Sequence, residues 1–214
     1  MKQAFFITGT DTNVGKTYVA CKLINDYVAQ GYKVIGMKPV AAGCEFVNGE
    51  WVNDDVLKLE AASNINVPRE LVNPYSFNEA IAPHIAAELA GIKIEIKVIK
   101  QAFEALTKLA DIVIVEGAGG FLVPLNSVPL NSKQTMADLA VALNIPIILV
   151  VGMRLGCINH SLLTVEAITA RKLTLHGWVA NQIEPNMPAL VENEATLEAR
   201  IQAPKLFSLA YSAL

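Results

Sequence analysis

Ala4-Phe5-Phe6-Ile7-Thr8-Gly9-Thr10-Asp11-Thr12-Asn13-Val14-Gly15-Lys16-Thr17 is the stretch on which the reading of this chain turns. An apolar run of strand type gives way to a polar loop bounded by Gly9 and Gly15 and closed by Lys16-Thr17. Tyr18-Val19-Ala20-Cys21-Lys22-Leu23-Ile24 then carries a helical pattern. Strand, glycine-bounded loop and helix in this order form a phosphate-binding loop. Its backbone N–H groups turn inward onto phosphate oxygens, and the helix N-terminus adds partial positive charge. Lys16 is placed to reach the outer phosphates, and the Thr17 hydroxyl to ligate Mg²⁺. The spacing is a variant, because position 10 is Thr and the nearest preceding glycine is Gly9. The bland alternative is a glycine-rich turn with a solvated lysine; the flanking strand and helix weigh against it.

Outward from this loop, apolar runs alternate with helical patterns. A helix is expected over 16–30 with Gly31 as its stop, and a second strand over 33–37 leading into Lys38-Pro39-Val40-Ala41-Ala42-Gly43. Asn53-Asp54-Asp55 opens a helix through 62, residues 73–83 read as irregular, and helices follow over 83–90 and 94–109. Asp111-Ile112-Val113-Ile114-Val115-Glu116-Gly117-Ala118-Gly119-Gly120 is a strand apolar on both faces that ends in an acid and a glycine loop. The tandem Pro124-Leu125-Asn126-Ser127 and Pro129-Leu130-Asn131-Ser132 marks an exposed loop. Further elements are a helix over 135–143, a strand over 145–151, a helix over 159–172, a strand over 175–181 and a helix over 190–200, with an ambiguous tail. Buried strands alternating with helices predict an α/β fold, a mostly parallel sheet covered on both faces.

Composition narrows the class. The chain has 214 residues, 53% of them hydrophobic and 17% charged, with net charge −3. Its size suits one domain, 1–214. No basic stripe appears, which argues against a nucleic-acid partner. The three cysteines lack metal or redox spacing and read as reduced thiols of a cytoplasmic protein. The first apolar run is too short for a signal peptide, and no uninterrupted stretch reaches membrane-spanning length.

In parallel sheets ligands lie beyond the carboxyl ends of the strands. The phosphate loop, Lys38, Glu116 with its glycines, the segment 152–159 and Asn181 all fall at such ends and should converge on one rim. Glu116 closes an otherwise apolar strand and needs a cation or hydrogen-bond partners. A Mg²⁺ ligand is the functional reading and a loop-capping acid the structural one. Asp55 is the natural further carboxylate, with Asp54 interchangeable on spacing alone. Lys38 can offset charge on a transferred phosphoryl group. Asn159 begins a helix that could bind a carboxylate or simply be capped by it.

Taken together, Gly9 to Thr17, Lys38-Pro39-Val40, Asn73-Pro74-Tyr75, Pro83-His84-Ile85, Val115 to Gly120, Leu155-Gly156-Cys157-Ile158-Asn159-His160 and Gly177-Trp178-Val179-Ala180-Asn181 closely resemble the dethiobiotin synthetases, in family order over nearly the whole chain. The resemblance implies a phosphate-loop fold with about seven strands and a homodimer. It implies conversion of 7,8-diaminononanoate, CO₂, ATP and Mg²⁺ to dethiobiotin, ADP and phosphate. Carried over by position, Thr17, Asp55 and Glu116 bind Mg²⁺. Asn13, Val14, Gly15, Lys16, Thr17 and Tyr18 wrap the phosphates, and Lys38 and Lys16 are the catalytic lysines. Glu116, Gly117, Ala118 and Gly119 lie along nucleotide and substrate, Asn181 and Gln182 meet the adenine, and Ala42, Gly119 and Asn159 line the substrate.

Three departures go with the resemblance. Ala42 stands where the family commonly has Ser. Phe207-Ser208-Leu209-Ala210 stands for Gly-Glu-Ile-Pro, and Asn193 for a tyrosine. They predict altered nucleotide and substrate contacts with the reaction type retained. Two rivals remain at this point. One is a partitioning-type ATPase, against which Asp11 counts, because that group carries a second lysine there. The other is a family relative acting on a different diamine.

Overall fold

The computed structural model describes residues 2–47, 49–126 and 134–211. In chain order the elements are β1 (Gln3–Gly9), α1 (Lys16–Ala29), β2 (Val34–Met37), β3 (Val40–Ala42), β4 (Glu45–Val47), β5 (Glu50–Val52), α2 (Asp54–Ala62), α3 (Arg69–Val72) and β6 (Tyr75–Phe77). They continue with α4 (Pro83–Leu89), α5 (Ile96–Leu109), β7 (Ile112–Gly120), α6 (Met136–Leu143), β8 (Ile147–Met153), α7 (Cys157–Ala170), β9 (Leu175–Gln182), α8 (Leu190–Arg200) and β10 (Lys205–Leu209).

Six strands form the main sheet in the order β10-β9-β8-β1-β7-β2, every pair parallel. The expected seventh strand is not in it. After Lys38 the chain meets Pro39, which has no N–H to give to a ladder. The Lys38 N–H donates instead to the Val72 carbonyl at 2.9 Å. Val40–Ala42 then pairs with Tyr75–Phe77 in a separate two-stranded sheet. That pairing also puts a strand inside the segment read as irregular.

Period-two alternation in fully apolar strands builds a core on each face. Phe6, Val113 and Val115 face one side, where Ile99, Ala102, Phe103 and Leu106 of α5 meet them at helical spacing. Phe5, Ile7, Ile112 and Ile114 face the other, against Val19, Leu23 and Ile24 of α1. Trp178, fully buried, anchors a third cluster beneath α7 and α8 with Leu149, Val151 and Leu197. Of the tandem read as an exposed loop, 127–133 lie outside the described residues. Leu125 is fully buried beside Phe121 and Met136, so for that residue the expectation is corrected: a proline-flanked turn here tucks its leucine into the core.

Strand β10 is the edge that the tail concealed. Its Leu206 fills the space over Gly177, where an added Cβ would lie 2.6 Å from Leu206 Cδ2. Lys205 then pairs with Glu194 at 2.5 Å, and with Glu198, on α8. Among the described residues, no helix is long and apolar enough to cross a membrane.

Candidate nucleotide and metal site

The sheet order reverses at β1, which lies between β7 and β8, and ligands of open parallel sheets settle at such a crossing. Register brings the sequence candidates level. Ile7 pairs with Glu116, Gly9 with Val150, Met37 with Val115 and Gly152 with Asn181. The carboxyl ends of five strands therefore meet on one rim.

The loop on this rim is held open by its backbone. Gly15 has φ +86°, and a Cβ there would lie 2.2 Å from Asn181 Nδ2. The Asn181 amide donates to the Val14 carbonyl at 2.8 Å. Thr10 N–H donates to Val150 O at 3.0 Å, and Thr12 N–H to the Asp11 carboxylate at 2.7 Å. No side chain caps the N-terminus of α1, so its first-turn N–H groups face the rim. Lys16 is buried, and its ammonium donates to the Asp11 carbonyl at 2.9 Å. Burial, and next the Lys38 charge, pull its pKa down to about 8, against the raising effect of Glu116, Asp55 and Asp11.

Beside Lys16 lies a buried charge cluster centred on Glu116. Lys38 Nζ donates to Glu116 Oε1 at 2.5 Å and to Asp55 Oδ2 at 2.8 Å. The Thr17 hydroxyl donates to the same Glu116 oxygen at 2.9 Å. Burial alone would discharge Lys38, but Glu116 and Asp55 overcome it and hold the ammonium above its ordinary range. Burial likewise opposes the Asp55 charge; the Lys38 ammonium, with hydrogen bonds from Lys38 and Thr17, outweighs it and holds the carboxyl below its ordinary value. Asp55 rather than Asp54 reaches the cluster because Asn53 caps α2, accepting from the Asp55 N–H at 3.0 Å. Its own amide donates to the Ala42 carbonyl at 3.1 Å.

The donor set suits Mg²⁺. Glu116 Oε2 is fully buried with no hydrogen-bond partner, an expensive state for a carboxylate oxygen unless a cation meets it. Two carboxylates and a hydroxyl are few ligands, and among the described residues no group of three or more His, Cys, Asp and Glu could hold a metal. Mg²⁺ accepts such a sparse set because it keeps waters and takes the rest of its oxygens from phosphates. A cavity of about 200 Å³, lined by Gly43, Glu45, Val47, Val52, Asn53, Asp54 and Asp55, opens beside the cluster. A larger one of about 270 Å³, lined by His84, Lys93, Leu125 and Asn126 among others, shares no residue with it.

The remaining candidates fall at graded distance from this centre. Gly117, Ala118 and Gly119 continue β7 beyond Glu116 along the rim, and Gly119 turns at φ +62°. Asn13 adopts φ 60° at the loop's crest, and Tyr18 is exposed beside it. Gln182 uses its amide on the carbonyls of Glu184 and Pro185 and accepts from the Tyr211 N–H at 3.4 Å. Asn159 is exposed in the first turn of α7 and does not begin that helix. The helix starts at Cys157, and Gly156, at φ +95° and with no side-chain cap, precedes it. A glycine able to turn left-handed starts the helix two residues earlier than the asparagine signal suggests.

Two residues to which the sequence assigned no role support the site. The Asn73 amide donates to the carbonyls of Lys38 at 2.6 Å and Tyr75 at 3.0 Å, fixing the main chain of the lysine. Arg154, in the β8–α7 connection, pairs with Asp11 of the phosphate loop. Asn-Pro after a short helix was the available signal for the first. Arg154 falls within the 152–159 segment with nothing to single it out.

A parallel sheet with this strand–loop–helix unit at its reversal, a buried loop lysine and an acid on the adjacent strand end defines a P-loop nucleoside triphosphatase fold. Solved structures agree: a ParA family ATPase from Chlorobium tepidum superposes with TM-score 0.58 at 12% identity, covering 99% of this chain and 84% of that one. The chloroplast FtsY of Physcomitrella patens gives 0.55 at 16%, covering 100% and 60%. At such identities the likeness is one of fold. The family model described as an AAA domain matches residues 3–212. The ATP-dependent dethiobiotin synthetase BioD of Nitrosospira multiformis is 55% identical over 211 residues, 99% of this chain and 89% of that protein. That of Aromatoleum aromaticum is 52% identical over 204 residues, 95% and 88%. The chain belongs to the dethiobiotin synthetase family.

Proposed function

We infer that the protein is an ATP-dependent dethiobiotin synthetase, a single synthetase domain over 1–214, that carboxylates 7,8-diaminononanoate and closes it to the cyclic urea. The observation that carries this reading is the meeting of Lys38, Thr17 and Asp55 at Glu116, next to an open phosphate loop. One substrate amine adds CO₂ to give a carbamate. The carbamate oxygen attacks the γ-phosphorus of ATP, ADP leaves, and a carbamic–phosphoric anhydride forms. The second amine attacks the carbonyl carbon and phosphate departs.

Carbamate and triphosphate are both anions, so the site's task is to hold them together. Lys16, whose ammonium is buried at the loop, takes the outer phosphates. Lys38, kept charged by Glu116 and Asp55, meets the negative charge shared between carbamate oxygen and phosphoryl group. Thr17, Asp55 and Glu116 would hold Mg²⁺, which when bound neutralises β- and γ-phosphate charge. Asn13 to Tyr18 wrap the phosphates. Asn181 and Gln182 lie toward the adenine, and the N-terminal turn of α7 with Asn159 takes the substrate carboxylate across a homodimer interface. The free thiols of Cys21, Cys44 and Cys157 support a cytoplasmic setting.

The test is ADP release and product formation with diaminononanoate and bicarbonate present or omitted singly, for the parent and Lys16→Ala. Release that needs both substrates, and is lost in the variant, is the expected result. Release indifferent to the diamine would overturn the reading.

A further inference from the structure

Asp11 is a negative charge inside a loop built to hold a polyanion. Its carboxylate spends one oxygen on the Thr12 N–H at 2.7 Å, and its carbonyl accepts from Lys16 Nζ at 2.9 Å. The second carboxylate oxygen accepts from the Arg154 guanidinium, which reaches over from the β8–α7 connection. The end of β8, which leads into that connection, follows the loop closely. Val150 accepts from Thr10 N–H at 3.0 Å, and Gly152 N–H donates to Thr10 Oγ1 at 3.4 Å. Three residues past Arg154, α7 begins, with the Cys157 N–H turned back onto the Arg154 carbonyl at 3.0 Å. One side chain thus joins the phosphate loop to the start of the helix assigned above to the substrate carboxylate.

We propose that Arg154 is a positioning residue of the synthetase reaction: it neutralises Asp11 and holds it as the crosspiece of the phosphate loop, so that the loop accepts a triphosphate. The proposal rests on the P-loop reading of the site and on no particular diamine. The pair is partly exposed on both sides, so its own stabilisation is small. Its effect on a ligand is larger. Without Arg154 an uncompensated carboxylate sits within the loop facing several phosphate charges, and repulsion acts on each of them. A guanidinium suits the task because it stays charged and its planar N–H fork matches a carboxylate such as Asp11.

The test measures binding of ADP and of a non-hydrolysable ATP analogue, with Mg²⁺, by calorimetry in the parent, Arg154→Ala, Arg154→Lys, Asp11→Asn and the Asp11→Asn/Arg154→Ala double variant. The asparagine amide oxygen can still accept from Thr12; what goes is the charge and the oxygen that accepts from Arg154. Arg154→Ala should weaken the analogue roughly five- to tenfold, and more than ADP because the analogue carries more charge. Lysine should recover most of that loss. The double variant should bind within about twofold of the parent. In turnover, Arg154→Ala should raise KM for ATP with a smaller change in kcat. Parent-like binding by Arg154→Ala would overturn the proposal. So would a double variant as weak as Arg154→Ala, which would mean that Arg154 serves the ligand or the fold without Asp11. The binding arm needs no diamine, so failure of the synthetase reading would appear separately, as a parent that binds nucleotide and makes no dethiobiotin.

Discussion

Replacing Lys38 by methionine is the most informative single perturbation. The ammonium is buried and lies 2.5 Å from one carboxylate and 2.8 Å from another. Methionine fills much of the same volume and removes the charge, leaving Glu116 in the protein interior with only the Thr17 hydroxyl. Breaking a buried ion pair from one side costs about 3–5 kcal/mol, which for a chain of this size is a fall in melting midpoint of roughly 10 °C. The pH dependence has a definite sign. The Lys38 pKa is raised, so its contribution is complete below the ordinary lysine value and lost only as pH rises through the higher folded one. The Asp55 pKa is lowered, so its contribution is present above the ordinary aspartate value and lost as pH falls through the lower folded one. At pH 7 the parent holds both, and the gap between parent and variant should be widest there. It should narrow once pH falls below the ordinary aspartate value and Asp55 loses its charge. Added Mg²⁺ should recover more stability in the variant than in the parent, since a divalent ion replaces the missing cation. The assay is thermal denaturation from pH 8 down to pH 3, with and without Mg²⁺, alongside ADP release. A variant within about 2 °C of the parent at pH 7, or a deficit that neither acid nor Mg²⁺ reduces, would refute the reasoning.

Other outcomes follow from the same geometry. Gly15→Ala places a Cβ 2.2 Å from the Asn181 amide at φ +86° and should abolish nucleotide binding measured by calorimetry; adding Asn181→Ala relieves the clash but not the backbone strain, so recovery should be partial. At the sheet edge, Lys205 and Ser208 hold the Glu194 carboxyl below its ordinary value in spite of burial. That contribution is present above the ordinary glutamate pKa and is lost as acid protonates the group. Glu194→Gln should therefore be less stable than the parent at pH 7, by about 1 kcal/mol, and converge with it in urea titrations as pH falls through the lowered folded pKa.

The main frame could be read from the chain because doubly buried parallel strands are written as continuous apolar runs. Ile112 to Val115, the 145–151 run and 175–181 each stood out between helices of unmistakable period. Helix starts were legible where a side chain caps them, as Asn53 and Thr135 do, and were misjudged at α7, where a bare glycine does the work. Short strands escaped notice. Val40–Ala42 and Tyr75–Phe77 are three residues each, too brief for a period, and exist because Pro39 expels the chain from the main sheet. Of the site, Lys16, Thr17, Lys38, Asp55 and Glu116 were found from residue type and strand-end position. The interactions that aim them, Asn73 to Lys38 and Arg154 to Asp11, join residues 35 and 143 positions apart. No local pattern encodes such pairs.

The Asn73 clamp has one more consequence. Because the main chain of Lys38 is tethered on both sides, by Val72 and by Asn73, the root of its side chain stays fixed whichever groups its ammonium meets. When an incoming divalent ion claims those oxygens, the lysine can let go of them and turn its charge to a newly arrived anion by bond rotation alone. Were the carboxylates to take up Mg²⁺ as proposed, they would exchange one cation for another over a backbone already anchored beneath them.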